Sequence, residues 1–205
     1  MLELILFVNL DMATISGDWG SGMKQFLASE IPNLPPDKSF FHIICAPVEE
    51  TVSYGKGAAQ GPAAILAASD QLEAFDGVSS PCELGIHTVE KECRSLDDIE
   101  GAVSYVHEKG KFPFLLGGEH TVTLGALRAL KNAGEDFGIV QFDAHADLRN
   151  EYEGSQLSHA CVMRRAVEDL DLPLCQIGVR ALSREESDYR DSKGICVAAR
   201  SLREG

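Results

Sequence analysis

The stretch Phe137-Gly138-Ile139-Val140-Gln141-Phe142 followed by Asp143-Ala144-His145-Ala146-Asp147 decides how the rest of the chain is read. Its first half is a short apolar run with β-branched residues, the pattern of a strand buried on both faces. Its second half alternates three potential metal ligands with alanine. In a strand that period puts the three ionisable side chains on one face and the alanines on the other, where a packed helix wants small groups. Three ionisable groups converging on one face need a cation between them. Four residues of strand span about 13 Å, whereas metal–ligand bonds are about 2 Å long. Either the chain curls after His145, or the site holds two ions about 3.5–4 Å apart with Asp143 between them. Imidazole and carboxylate donors without thiolate suit Mn²⁺ or Zn²⁺ better than Mg²⁺.

Outward from this run the same alternation repeats. Apolar strand candidates cover 40–45, 82–89, 112–116, 137–142, 174–179 and 195–199. Helical stretches cover 62–74, with Pro62 in the first turn, 96–108 behind the cap residue Ser95, 121–133 up to Gly134, 158–168, and a short 185–191. A further short helix is expected over 23–29. Strands alternating with helices mean βαβ units and an α/β fold on a parallel sheet covered on both faces. Residues 1–38, punctuated by glycines and Pro35-Pro36, read as an N-terminal segment, and 39–205 as the α/β domain.

A second strand ends in Gly117-Gly118-Glu119-His120. In open parallel sheets ligands bind beyond the carboxyl ends of the strands, so His120 joins Asp143, His145 and Asp147 as a candidate ligand. His159 follows a polar loop holding Asn150, Glu151 and Tyr152. It is read either as a proton carrier near neutral pH or as a surface histidine. His42, His87 and His107 read as structural residues, and Asp169-Leu170-Asp171 as a solvated turn at the wrong end of the sheet.

The 205 residues carry 18 Lys+Arg against 32 Asp+Glu, a net charge of −14. Without a basic cluster this excludes nucleic acid as a partner and fits a cationic small molecule. No apolar run reaches the roughly 18 residues of a membrane span, and no secretory pattern opens the chain, so a cytoplasmic protein is expected. Cys45, Cys175 and Cys196 sit in apolar runs and read as small buried hydrophobes. No disulfide framework is expected.

The motifs GGEHTVT at 117–123, QFDAHADLR at 141–149, SHACVMRR at 158–165 and YGKGAAQGPAAILAAS at 54–69 resemble the ureohydrolases, the family of arginase and agmatinase, and look more like agmatinase. The resemblance implies a three-layer α/β/α sandwich and two Mn²⁺ ions. His120 and Asp147 would hold one ion, His145 the other, and Asp143 would bridge them. His159 would move protons, and Asn150, Glu151 and Tyr152 are candidates for reading the substrate. It further implies hydrolysis of a guanidinium group, first of all agmatine to putrescine and urea, with guanidinobutyrase, formiminoglutamase and arginase chemistry as alternatives, in a homo-oligomer. Family members carry a further Asp-x-Asp pair on a later strand. Its absence from residues 1–205 makes the chain look like the N-terminal two-thirds of such an enzyme, with an incomplete sandwich, or like a truncated non-catalytic homologue.

Overall fold

A computed structural model describes residues 24–198. Residues 1–23 and 199–205 lie outside it, and with them the first residue of the 23–29 helix expectation and the last of the 195–199 strand. Six strands, β1 (Phe41–Ala46), β2 (Ile86–Thr88), β3 (Phe112–Gly117), β4 (Ile139–Phe142), β5 (Leu174–Ile177) and β6 (Cys196–Val197), alternate with five helices. These are α1 (Gly61–Ser69), α2 (Leu96–Glu108), α3 (Val122–Asn132), α4 (Val162–Glu168) and α5 (Arg184–Lys193). Every strand pair is parallel, as the alternation requires. Among the described residues no helix is long and apolar enough to cross a membrane.

β1 shows why its sequence is continuously apolar. Ile43 and Cys45 pack on one side with Leu66 of α1, and Ile44 and Ala46 on the other with Ile99, Val103 and Val106 of α2 and Val122, Ala126 and Ala129 of α3. The strand is thus the middle of three layers. α3 also reaches the second half of the molecule. Its Leu124 and Leu127 join Ile139, Leu148, Val162, Met163 and Leu174 in a separate core. Gly125 permits the closeness of α2 and α3, since a Cβ there would meet the Ile99 side chain at 2.8 Å.

The single sheet expected from the sequence is in two parts. One has the order β2-β1-β3 and the other β4-β5-β6. Among the described residues β3 and β4 are therefore each paired on one side only, with α3 joining one to the other in the chain.

Other departures are local. Residues 26–30 form turns instead of a helix, with Leu27 left-handed at φ 57° and its N–H donated to Ser69 Oγ at 2.8 Å. α1 stops at Ser69, not residue 74; that hydroxyl accepts from Leu27 and donates to Leu66 O within the helix's last turn. The 82–89 strand shrinks to β2 because 81–84 is a 3-10 turn closed by Gly85 at φ 83°. A Cβ at Gly85 would meet Lys38 O at 2.7 Å, so the turn packs against the segment before β1. Cys45 is buried as expected, whereas Cys175 is half-buried and Cys196 exposed. Cys175 lies on the central strand β5 and Cys196 on β6, the edge strand of that sheet among the described residues.

Candidate metal centre

β4 delivers its polar ending beyond the sheet, and the chain then curls. Asp147 adopts φ 52°, a left-handed conformation that Asp tolerates better than most residues. Its carbonyl accepts from the N–H groups of Met163 and Arg164 at the start of α4, which holds the curl in place. Asp147 therefore turns back toward Asp143 instead of standing a strand's length away. His120, two residues past Gly118, reaches the same spot from β3. Gly118 is required there, because a Cβ would fall 2.1 Å from Val48 O.

His120, Asp143 and Asp147 offer one ligand atom each, all within 4.8 Å of one another. His120 Nδ1 lies 2.6 Å from Asp147 Oδ2 and 3.7 Å from Asp143 Oδ2. Burial pulls the His120 imidazole down, but the hydrogen bond and charge of Asp147 and the charge of Asp143 outweigh it, so its pKa is raised. His120 Nδ1 thus faces both carboxylates, and the space among the three groups is where a divalent ion would sit. A mainly oxygen donor set with one imidazole and no thiolate fits Mn²⁺.

His145 stands outside the triad. Its side chain is 67% exposed, and its Nδ1 is 3.6 Å from Asp143 Oδ1, the oxygen that also accepts the His145 N–H. Asp143 consequently faces His120 with one oxygen and His145 with the other. The loop itself is braced from β5. Gln176 donates to Gln141 Oε1 at 2.6 Å and to Ala146 O at 2.8 Å, and Gln141 donates to His145 O. From α5, buried Glu186 accepts the Leu148 N–H at 3.0 Å.

His159 opens the 3-10 turn before α4. Its Nε2 is 3.1 Å from Ser53 Oγ and its Nδ1 3.3 Å from Thr51 Oγ1, which also accepts the His159 N–H. Thr51 is held by Glu119, whose buried carboxylate accepts the N–H groups of Glu50 and Thr51 and the hydroxyls of Thr51 and Thr121. Glu119 precedes the candidate ligand His120, so His159, outside the candidate triad, is tied to the same loop. The Tyr152 ring meets His159 edge-on at 5.7 Å, and its hydroxyl accepts from Ser53. Of the candidate substrate readers, Tyr152 lies beside His159 and Glu151 is exposed, whereas Asn150 turns its Oδ1 to Arg165.

Thr51, Ser53 and Glu119 were not legible as site residues. Thr51 and Ser53 lie about a hundred positions before His159. The glutamate in Gly117-Gly118-Glu119-His120 was the available signal, a carboxylate needing donors where the chain turns away from a strand.

A profile of the arginase family matches residues 40–204. The chain belongs to the arginase family. Among arginase-family proteins it is 43% identical over 197 residues to the N(1)-aminopropylagmatine ureohydrolase of Synechocystis, covering 86% of this chain and 62% of that protein. It is 35% identical over 167 residues to the agmatinase of Bacillus subtilis, with 74% and 56% covered. The agmatine ureohydrolase of Thermoplasma volcanium superposes with a TM-score of 0.73 at 33% identity, over 85% of this chain and 61% of that one. A Trypanosoma cruzi formiminoglutamase solved with Mn²⁺ shares the fold at 19% identity, TM-score 0.75, over 88% and 67% of the two chains. The chain thus spans about three-fifths of the length of the ureohydrolases it matches.

Proposed function

We infer that this chain carries part of the metal centre and the proton-transfer group of a manganese-dependent ureohydrolase acting on a cationic guanidino compound, agmatine first, giving putrescine and urea. The observation that carries this reading is the His120–Asp143–Asp147 triad, whose ligand atoms all lie within 4.8 Å of one another where a cation fits. The 43% identity to an aminopropylagmatine ureohydrolase supports the same substrate class, an amine tail behind a guanidinium.

His120 and Asp147 would hold one Mn²⁺, His145 a second, and Asp143, with its two oxygens facing the two histidines, both. When bound, two such ions lower the pKa of a water so that hydroxide is available near neutral pH. The chain's own residues answer the second difficulty, the departure of a basic amine. The leaving nitrogen must be protonated, and His159 is the group placed to do it. The Thr51 and Ser53 hydroxyls hydrogen-bond its two ring nitrogens and hold the ring in place, and imidazole is the side chain most often used to pass a proton. Tyr152 packs against that ring. Exposed Glu151 is suited to the distal ammonium of agmatine, whereas the α-carboxylate of arginine would want donors.

The test is urea release from agmatine, its N1-aminopropyl derivative, arginine and guanidinobutyrate, in Mn²⁺, by a chain extended to family length. Agmatine or its derivative should be turned over best. His159→Ala should lower turnover about 10²–10⁴-fold while bound manganese, read by elemental analysis, stays. Loss of metal together with activity would make His159 a ligand or a structural residue. The split sheet favours a second reading for residues 1–205 taken alone, a metal-poor homologue that acts by associating with other subunits.

A further inference from the structure

Two of the six cysteines meet at the edge of the second sheet, away from the ligand residues. Cys175 of β5 and Cys196 of β6 are direct register partners in parallel strands. Adjacent strands run about 4.8 Å apart, inside the 4.4–6.8 Å Cα separation that a disulfide spans. Their sulfurs are 2.9 Å apart, with the Cys175 thiol donating to Cys196 Sγ. Cys196 is exposed. The other cysteines contrast with this. Cys45, Cys93 and Cys161 are buried, and burial pushes the Cys45 thiol up to about 12.

We propose that Cys175 and Cys196 form a redox-reactive dithiol that closes to a β5–β6 disulfide when it meets a small-molecule disulfide of the oxidised-glutathione class. The exposed Cys196 sulfur, as thiolate, attacks one sulfur of the oxidant. That forms a mixed disulfide on Cys196 and releases one thiolate. Cys175 then gives its proton to solvent and its sulfur attacks Cys196 Sγ. The protein disulfide forms, the mixed disulfide breaks, and the second thiolate leaves. Two electrons pass from the cysteine pair to the oxidant, which becomes two thiols once the released thiolates take up protons. Cys175 is suited to the second step. The hydrogen bond to Cys196, ahead of partial burial, raises its thiol above the ordinary value, so it holds its proton while its partner reacts first.

The bond would pin β6 to β5 beside a structurally important residue. Gln176, next to Cys175, grips the ligand loop at Gln141 and Ala146, and its carbonyl accepts the Ala198 N–H that follows β6. Oxidation should therefore be read as protection of β6 as well as by mass.

The experiment treats the purified chain with oxidised glutathione under native conditions, then alkylates remaining thiols and maps peptides by mass spectrometry. The expected product is two hydrogens lighter than the reduced chain, without a glutathione adduct. A single crosslink should join the peptides holding Cys175 and Cys196, while Cys45, Cys93 and Cys161 should be alkylated only after denaturation. Cys175→Ser should trap glutathione on Cys196. Amide exchange at 195–198 should slow at least tenfold on oxidation and recover with dithiothreitol. A stable glutathione adduct on Cys196 of the unaltered chain, a crosslink to any other cysteine, or full recovery of both thiols unreacted would each overturn the proposal.

Discussion

Thr51 shows how much of this site rests on single hydroxyls. It donates to Glu119, accepts the His159 N–H, and lies beside the His159 ring, while its own N–H also goes to Glu119. Thr51→Val keeps the shape and removes the hydroxyl. Glu119 is 4% exposed, so a lost donor is not replaced by water, and a buried acceptor left short costs about 1–3 kcal/mol. Urea denaturation should show that loss in the midpoint with an unchanged slope. Thr51→Ser, which restores the hydroxyl, should recover most of it. A neutral Thr51→Val would mean that Glu119 needs only its backbone donors. The role of Thr51 was not visible in the order of the residues, because its contacts join the loops after β1, β3 and β4 that only the fold brings together. His120, Asp143 and Asp147 were visible, since apolar packing does not account for strands that end in carboxylates and imidazoles. His145 shows the limit of that reading. Alternation alone put it on the face of its neighbours, but the left-handed turn at Asp147 brings Asp147 to His120 and leaves His145 exposed beside Asp143.

α5 was expected as a minor element, and its start carries more than its length suggests. Ser183 accepts the Glu186 N–H while the Glu186 side chain accepts the Ser183 N–H, a closed capping box. The same Glu186 holds the Leu148 N–H of the ligand loop. Ser183→Ala should cost about 1 kcal/mol, seen as a drop of about 2–4 °C in Tm for a domain of this size. The capping serine was readable from the sequence, but the reach of Glu186 to Leu148 was not, because it spans 38 positions. On β1, His42 is buried, with Nε2 on Pro36 O, its ring 5.3 Å from that of His87 on β2 and Lys111 contributing a like charge. Burial first, against the Pro36 carbonyl and with help from the neighbouring His87 charge, depresses its pKa below the ordinary 6.5. An unfolded chain binds that proton as pH falls through about 6.5, and the folded chain does so only lower. Stability is therefore full above 6.5 and declines as pH falls toward the folded value. His42→Gln should flatten that part of the stability–pH curve in denaturation series between pH 7 and 5. An unchanged slope would move the effect to another group.

At the scale of the whole molecule, the two three-stranded sheets leave β3 and β4 each with an unpaired side among the described residues, and β3 is only part-buried along most of an apolar run. The candidate ligands follow those two strands. Residues 1–205 alone should therefore self-associate in light scattering through open strand edges. They should also bind Mn²⁺ weakly in a paramagnetic-resonance titration, because three converging side chains leave an ion that favours about six mostly oxygen ligands largely to water. Urea release from agmatine should stay below the ordinary enzymatic range of about 1–10³ per second. Turnover within that range would show that these three ligands and His145 suffice. The α/β class, the parallel pairing and most element positions were determined by the sequence alone. Hydrophobic periodicity and strand-end chemistry are local, so each is written in consecutive residues. Only the tertiary structure decided that the sheet is split, that Asp147 curls back to His120 while His145 stays outside, that Glu119 and Thr51 hold His159, and that Cys175 meets Cys196. Those facts depend on the curl of a loop and the register of strands set by packing between segments far apart in the chain, which no local pattern encodes.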